Sequence, residues 1–404
     1  MLLIASFSFT IGWLLLLQQI FILNSLLFIR FINGASVGLA SISLLVYLEE
    51  ISLPSNRGFL LTSFTTATIF GTAFPALYCL QDPYLYTVLV LGFNLLASVT
   101  LYLLPESPLF ILKSYSNDPL DLYKAEKALR LVRSTTSSDS CATLFEISRL
   151  VAEKEHFAEV LSLSHPLFYR PLRLLICLIL LMQGTFGSLG RLFGRPMTSI
   201  LDYLGESRVD NNTDNSNLTT ALKVDRSSAS AYAVVQLATA ISVSFLLIRL
   251  LERRTVLVCC GGVMAILQLV LGVLVILMAK KGKKESAEWW ASSVQYLSAA
   301  VSTTIESVGW LVITELPVHE HRTYSVAVGW VASWLLTGVA CTLVSTYAAS
   351  SGGALFFFVS SFTTAATTVA IYIWLPKKLK GRSCSQIAAQ FIGVSHSMSQ
   401  VAIE

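Results

Sequence analysis

The sequence predicts an all-α polytopic membrane fold arranged as two related helical bundles. Three observations carry this. First, 54% of the 404 residues are apolar and 13% are charged, a composition typical of membrane proteins rather than soluble domains. Second, apolar runs near the ~20 residues that a bilayer requires recur about ten times, at 2–17, 24–48, 59–80, 84–104, 172–194, 229–250, 255–279, 289–314, 323–348 and 353–375. Third, one helix-end pattern occurs twice: Glu50 precedes Arg57 by seven residues, and Glu315 precedes Arg322 by seven, about 265 residues further on. Two related halves would produce such a repeat.

The first run starts at Met1 with no basic segment and no small-residue cleavage site, so it reads as a retained span rather than a signal peptide. The second is dense in small residues (Gly34, Ala35, Gly38, Ala40, Ser41, Ser43), which let neighbouring helices approach closely in lipid. It closes on the acidic pair Glu49 and Glu50. The loop 105–171 carries Lys113, Lys124, Lys127, Arg130, Arg133, Arg149, Lys154 and Arg170 and is cytoplasmic by the positive-inside rule. Within it Asp118 is placed to cap, and Pro119 to open, a helix with apolar residues at helical spacing; a second amphipathic stretch covers 142–162.

One span later, the polar segment 202–227 contains the glycosylation sequons Asn211-Asn212-Thr213 and Asn217-Leu218-Thr219, which belong outside. Counting spans then puts Arg57, Arg253, Arg254, Arg322 and the Lys377-Lys378-Lys380-Arg382 tail inside, with Lys280, Lys281, Lys283 and Lys284 dissenting. The expected organisation is a four-span bundle over 1–112, a cytoplasmic linker with short helices over 113–171, a six-span bundle over 172–376 and a cytoplasmic tail over 377–404. Such a chain is an integral, multi-pass protein, expected in the plasma membrane.

Several function classes are disfavoured. A net charge of +4 with dispersed basic residues gives no nucleic-acid surface. Cys177, Cys259, Cys260 and Cys341 fall inside apolar runs and read as packing residues rather than disulfides or metal ligands. The five histidines fall in expected loops, with no nucleophile–base or metal-ligand spacing, so neither an enzyme nor a metal or other cofactor is expected. No repeated charge ring or carbonyl filter points to a channel.

Six motifs in order resemble one family. They are Arg30-Phe31 with Gly34 and Gly38; Tyr47-Leu48-Glu49-Glu50-Ile51 through Arg57-Gly58; Pro105-Glu106-Ser107-Pro108; Val235-Gln236-Leu237; Glu315-Leu316 with Arg322; and Pro376 with Lys380-Gly381-Arg382-Ser383. Together they resemble the sugar porters of the major facilitator superfamily, closest to arthropod trehalose and hexose carriers. The resemblance implies a major facilitator fold and alternating-access transport of a sugar through the lipid bilayer, by facilitated diffusion or with protons as a second cargo. It aligns residues 1–17 with the third of the family's twelve helices, so the expectation is about ten spans, with two missing from the N-terminal bundle.

The resemblance also implies a site. Thr65, Gln183, Gln236, Trp310, Trp334 and Thr337 would meet the substrate, because a neutral sugar needs uncharged donors, acceptors and aromatic faces. Glu50, Arg57, Arg253, Arg254, Glu315 and Arg322 would pair across helix ends and hold the inner gate shut. Departures from the pattern bear on selectivity. Thr65 stands where glutamine is usual, Glu306-Ser307-Val308-Gly309 replaces a Gly-Pro-x-Pro hinge, and Ile248 replaces an aspartate. Glu306, deep in its span, is costly in lipid; it points to the cavity, to a paired cation, or to an ionic substrate or proton. An organic-ion carrier of the same superfamily and a carrier-like protein that no longer transports are the alternatives.

Overall fold

The computed structural model describes residues 1–17, 23–52, 56–78, 83–108, 110–111, 119–133, 166–184, 226–281, 285–317, 319–347, 352–380 and 387. Among them every regular element is helical: α1 (Leu2–Leu17), α2 (Leu23–Ile51), α3 (Arg57–Tyr78), α4 (Pro83–Leu103), α5 (Pro119–Arg133) and α6 (Pro166–Gly184). After these come α7 (Arg226–Ser242, continued through a π-helical turn Val243–Leu247 to Ile248–Leu250), α8 (Arg253–Lys281), α9 (Glu285–Glu315), α10 (His319–Tyr347) and α11 (Gly352–Trp374). Helices satisfy all their backbone groups internally, which lipid demands.

Seven of the described helices are long and apolar enough to cross a membrane. The apolar parts of α1 and α6, Leu2–Leu16 and Pro171–Met182, are shorter. The remaining expected span, α3, is 22 residues long and carries many threonines. Its hydroxyls turn back onto its own backbone: Thr62 Oγ1 donates to the Gly58 carbonyl at 2.8 Å, Thr65 to Thr62 at 2.8 Å and Thr68 to Phe64 at 3.0 Å. Such back-bonding hides polarity from lipid and keeps the helix slim. As the sequence predicts, Pro119 opens α5, whose Ala125 and Ala128 pack on Ile111 beyond α4. The stretch 142–162, the sequons at Asn211 and Asn217, and Cys341's side chain lie outside the described residues. His319 and His321, expected in a loop, belong to the first turn of α10.

In the first group, α1 packs on α2 and α4, and α2 on α3. In the second, α8 packs on α9 and α11, while α6 lies against α9, α10 and α11. The groups meet where α3 packs on α7 and α9, and where α2 packs on α9 and α10. One apolar core crosses this junction, joining Leu45, Leu61 and Phe64 to Leu178, Met182, Val308, Trp310 and Ile313. Helix α9 is the hub, and it runs unbroken through Glu306-Ser307-Val308-Gly309. At Gly309 a Cβ would sit 2.6 Å from Met182 Sδ, so a larger residue there would require the Met182 side chain to shift.

Away from the junction, polar side chains join helices. Asn94 on α4 accepts from Ser6 Oγ at 3.0 Å and donates to the Ser6 carbonyl at 3.1 Å and to Thr10 Oγ1 at 2.7 Å. The Ser6 and Ser98 hydroxyls share a further bond at 2.6 Å. Interhelical hydrogen bonds in membranes average about 0.6 kcal/mol. Asn94→Ala is therefore expected to destabilise the protein by roughly 1–2 kcal/mol, read as a lower thermal midpoint in detergent. Thr100→Ala, which removes only an exposed back-bond to Ala97, should leave the midpoint unchanged.

Candidate functional site

Charge is concentrated at one end of the helix assembly. There α2 and α9 carry carboxylates in their last turn while α3, α8 and α10 carry arginines in their first. The Glu49 carboxylate, 2% exposed, takes Arg57 Nη1 at 3.2 Å and also pairs with Arg322. Glu315, equally buried, pairs with Arg253. A carboxylate at a helix C-terminus and a guanidinium at a helix N-terminus each oppose the local dipole. Pairing offsets both penalties, and the Glu49–Arg322 pair does so between the two groups of helices.

The register explains which carboxylate is chosen. Ser41, Leu45 and Glu49 recur every four residues along α2, at 7%, 0% and 2% exposure, so Glu49 lies on the face that meets the second group. Glu50, the partner suggested by the seven-residue spacing, lies one residue round and accepts a hydrogen bond from Ser107 Oγ. Tyr47 reinforces that contact by donating to the Pro105 carbonyl at 2.9 Å. Glu50 thus ties the Pro105–Pro108 segment to α2. Arg254, grouped with the gate by sequence, lies over the Tyr372 ring and donates to the Tyr372 carbonyl.

Next to the ion pairs the two groups are in direct contact. Phe59 on α3 meets Phe245 on α7 with ring centroids 5.1 Å apart, and Arg249 lies over the Phe59 ring at 5.9 Å. A Cβ on Gly58 would fall 2.6 Å from Ile248 Cγ2, so only glycine admits this approach. Further along the same pair of helices, the Thr66 and Ser244 hydroxyls bond at 2.8 Å. Both also reach the Ala240 carbonyl, at 3.3 and 3.0 Å. Two hydroxyls on one carbonyl compete with the helical ladder, and the π-turn of α7 begins nearby at Val243.

One turn beyond Ala240 stands Gln236, 3% exposed, with its Nε2 buried and without a hydrogen-bond partner. On the other side of α3 an aromatic chain crosses the junction. Phe64 faces Trp330 at 6.3 Å, Trp330 meets Trp310 edge-on at 4.4 Å and 89°, and Trp334 follows at 6.4 Å. Trp310 is 1% exposed, Trp330 7% and Trp334 50%. The Trp330 indole Nε1 is buried without a hydrogen-bond partner.

The remaining candidates are dispersed around this centre. Thr65, 3% exposed, bonds back to Thr62, and Thr337, 7% exposed, to Ser333 at 2.9 Å. Glu306 is half-buried one turn before Trp310. Gln183 is the penultimate residue of α6, and its side chain lies outside the described residues. Glu49, inside a quoted motif but given no role there, and Trp330 are two residues that the sequence-derived site left out. The four-residue stripe of α2 was available to find the first; Trp330, one turn before Trp334, was available for the second.

Enlarging Gly58 should wedge the charged end open. Overpacking costs about 1–3 kcal/mol, so Gly58→Ala is expected to increase labelling of an introduced cysteine at Ser244 by a bulky water-soluble thiol reagent. Ile248→Ala in the same chain should restore slow labelling by making room for the new methyl. Labelling that ignores both changes would mean that this contact does not govern access.

The sequence matches the family model described as "Sugar (and other) transporter" over residues 1–189 and 215–391. Among solved structures, a double-tryptophan mutant of XylE is similar at 17% identity, covering 96% of this chain and 82% of that one, with a TM-score of 0.68. The xylose transporter XylE from E. coli, in a partially occluded inward-open conformation, is similar at 16% identity, covering 93% and 80%, with a TM-score of 0.60. Identities this low speak to the fold alone. Among curated proteins no sequence match was found. The chain is an integral, multi-pass membrane protein with the major facilitator fold, and it belongs to the sugar transporter family of carriers.

Proposed function

We propose that the chain carries a neutral sugar or polyol, of the hexose or trehalose class, by alternating access between two bundles spanning 1–112 and 172–376. In this reading the linker 113–171 and the tail 377–404 are cytoplasmic, the sequons Asn211 and Asn217 are outside, and the protein resides in the plasma membrane. The arginines of the charged end then face the cytoplasm, as the positive-inside rule requires, and the arrangement described above is closed on that side. Glu49, Arg57, Arg253, Glu315 and Arg322 form the inner gate, with Gly58 and Ile248 as its packed floor.

The observation that carries the substrate class is a pair of uncharged polar atoms left over at the junction beyond the gate. Gln236 Nε2 and Trp330 Nε1 are buried polar atoms without protein hydrogen-bond partners, and Trp330 lies among the rings of Phe64, Trp310 and Trp334. Hydroxyls of a sugar satisfy such donors, and C–H faces stack on the rings. Gln183, Thr65, Trp310, Trp334 and Thr337 complete the proposed lining.

A second reading rests on Glu306, the mid-span carboxylate among the described residues. A carboxylate at that depth suits an organic cation, or a proton travelling with the sugar. Uptake of labelled glucose, trehalose and a small organic cation into proteoliposomes separates these cases. For the sugar carrier, Gln236→Ala and Trp330→Ala should each lower kcat/KM for the sugar by about ten-fold, the worth of a buried hydrogen bond. Glu306→Gln should leave uptake driven by the sugar gradient intact while abolishing any stimulation by an inward proton gradient. Cation uptake that is lost in Glu306→Gln, with no saturable sugar uptake, would establish the organic-ion carrier. Absence of both would leave a carrier fold that does not transport.

A further inference from the structure

Helix α5 turns one face to the protein and leaves the other open. Ala125, Ala128 and Leu129 are buried, and the two alanines pack on Ile111. On the open side Tyr123, Lys127 and Leu131 recur every four residues, with Lys124 beside them. Tyr123 and Leu131 are 62% and 65% exposed, and both lysines are exposed too. Glu126 and Arg130 pair with each other on the flank, so their charges cancel. The open face therefore presents two lysines between two large apolar side chains.

The same helix is held near the level at which α2 and α4 end. Tyr102, Leu103 and Leu104, at and just after the end of the α4 span, are 76%, 72% and 47% exposed. The chain does not run off into solvent from there. The Pro105 carbonyl accepts from Tyr47 and Ser107 donates to Glu50, both near the end of α2. Phe110, 55% exposed, follows, and Ile111 beside it is the residue on which α5 packs. Exposed apolar side chains thus follow the chain from α4 through Phe110 to Tyr123 and Leu131.

A helix with this surface suits a membrane plane. Apolar side chains on such a helix enter the boundary between headgroups and acyl chains, and its lysines reach anionic phosphates. A soluble acidic protein would meet the lysines but make no use of the apolar residues beside them. We propose that α5 lies on the leaflet surface at the charged end of the helices, held there by anionic phospholipid. Tyr123 and Leu131 face the acyl chains, and Lys124 and Lys127 the headgroups. Since the Pro105–Pro108 segment ties this region to α2, the contact fastens the end that carries Glu49 to one leaflet. None of this depends on which solute is carried.

The test is spin-label accessibility of the full chain, free of native cysteines, in nanodiscs of phosphatidylcholine with and without phosphatidylserine. On the serine lipid, nitroxides at Tyr123→Cys and Leu131→Cys should meet oxygen, which concentrates in lipid, several-fold more than a water-soluble nickel chelate. Lys124→Gln with Lys127→Gln should cut that ratio at least about three-fold on phosphatidylserine and leave it unchanged on phosphatidylcholine alone. Both lysines are exposed, so this variant should fold as the wild type does. Greater access of nickel than of oxygen at both sites would overturn the proposal. So would a ratio that is the same on the two lipids, or one unmoved in the lysine variant. Low access to both reagents would overturn it too, showing that protein rather than lipid covers this face.

Discussion

The arrangement depends on one carboxylate shared by two arginines. Glu49 sits at the end of α2 and is held by Arg57 from the next helix and by Arg322 from the other group of helices. All three side chains are at most 10% exposed. A buried pair of this kind is a poor source of net stability, because desolvation offsets most of the attraction. Breaking it in place is a different matter: an uncompensated buried charge costs roughly 3–5 kcal/mol. The consequence is a bistable contact, in which the end is shut and paired or open with each charge hydrated. Since every partner also opposes a helix dipole, water relieves two penalties at once when the contact parts.

Around that contact the structure combines tight packing with neutral polarity. Gly58 lets α3 reach Ile248, and the Met182 side chain lies directly against Gly309, so the helices next to the junction are held at short range. Hydroxyls along α3 and α9 bond to their own backbones, as Thr62, Ser302 and Ser307 do, and so leave smooth surfaces that can slide. Among the side chains with a buried polar atom left over, Gln236 and Trp330 are uncharged and stand where the groups meet. A carrier must release its cargo, and a site built from neutral groups binds through many modest bonds rather than one strong one.

Most of the helices were legible because a membrane span is announced by length and apolarity alone. The Pro119 start of α5 was legible for a local reason too, proline being pre-organised for the first helical position. What local pattern could not supply was pairing. The seven-residue spacing pointed to Glu50, whereas register places Glu49 with Leu45 on the buried face, where it pairs with Arg57. Glu315 likewise meets Arg253, 62 residues earlier, rather than the arginine seven residues on. Trp330 was missed because motif matching pointed to Trp334, one turn along, which turns out to be half exposed. The π-turn at Val243 begins beside the Ala240 carbonyl, which accepts from Thr66 on another helix, 174 residues away, and no local signal announces that contact.

The account stands or falls on whether Glu49 holds the two groups of helices together at the charged end. Spin labels at Asn56, in the turn before α3, and at Leu251, just after α7, report that separation by pulsed dipolar spectroscopy in nanodiscs. In a background without native cysteines, the wild-type side chains should give one short, narrow distance distribution. Glu49→Gln should add a component several ångströms longer, whereas Ser41→Ala, on the same face of α2 but uncharged, should not. A Glu49→Gln distribution that superimposes on that of the unsubstituted protein, in a sample shown to be folded, would contradict the central claim.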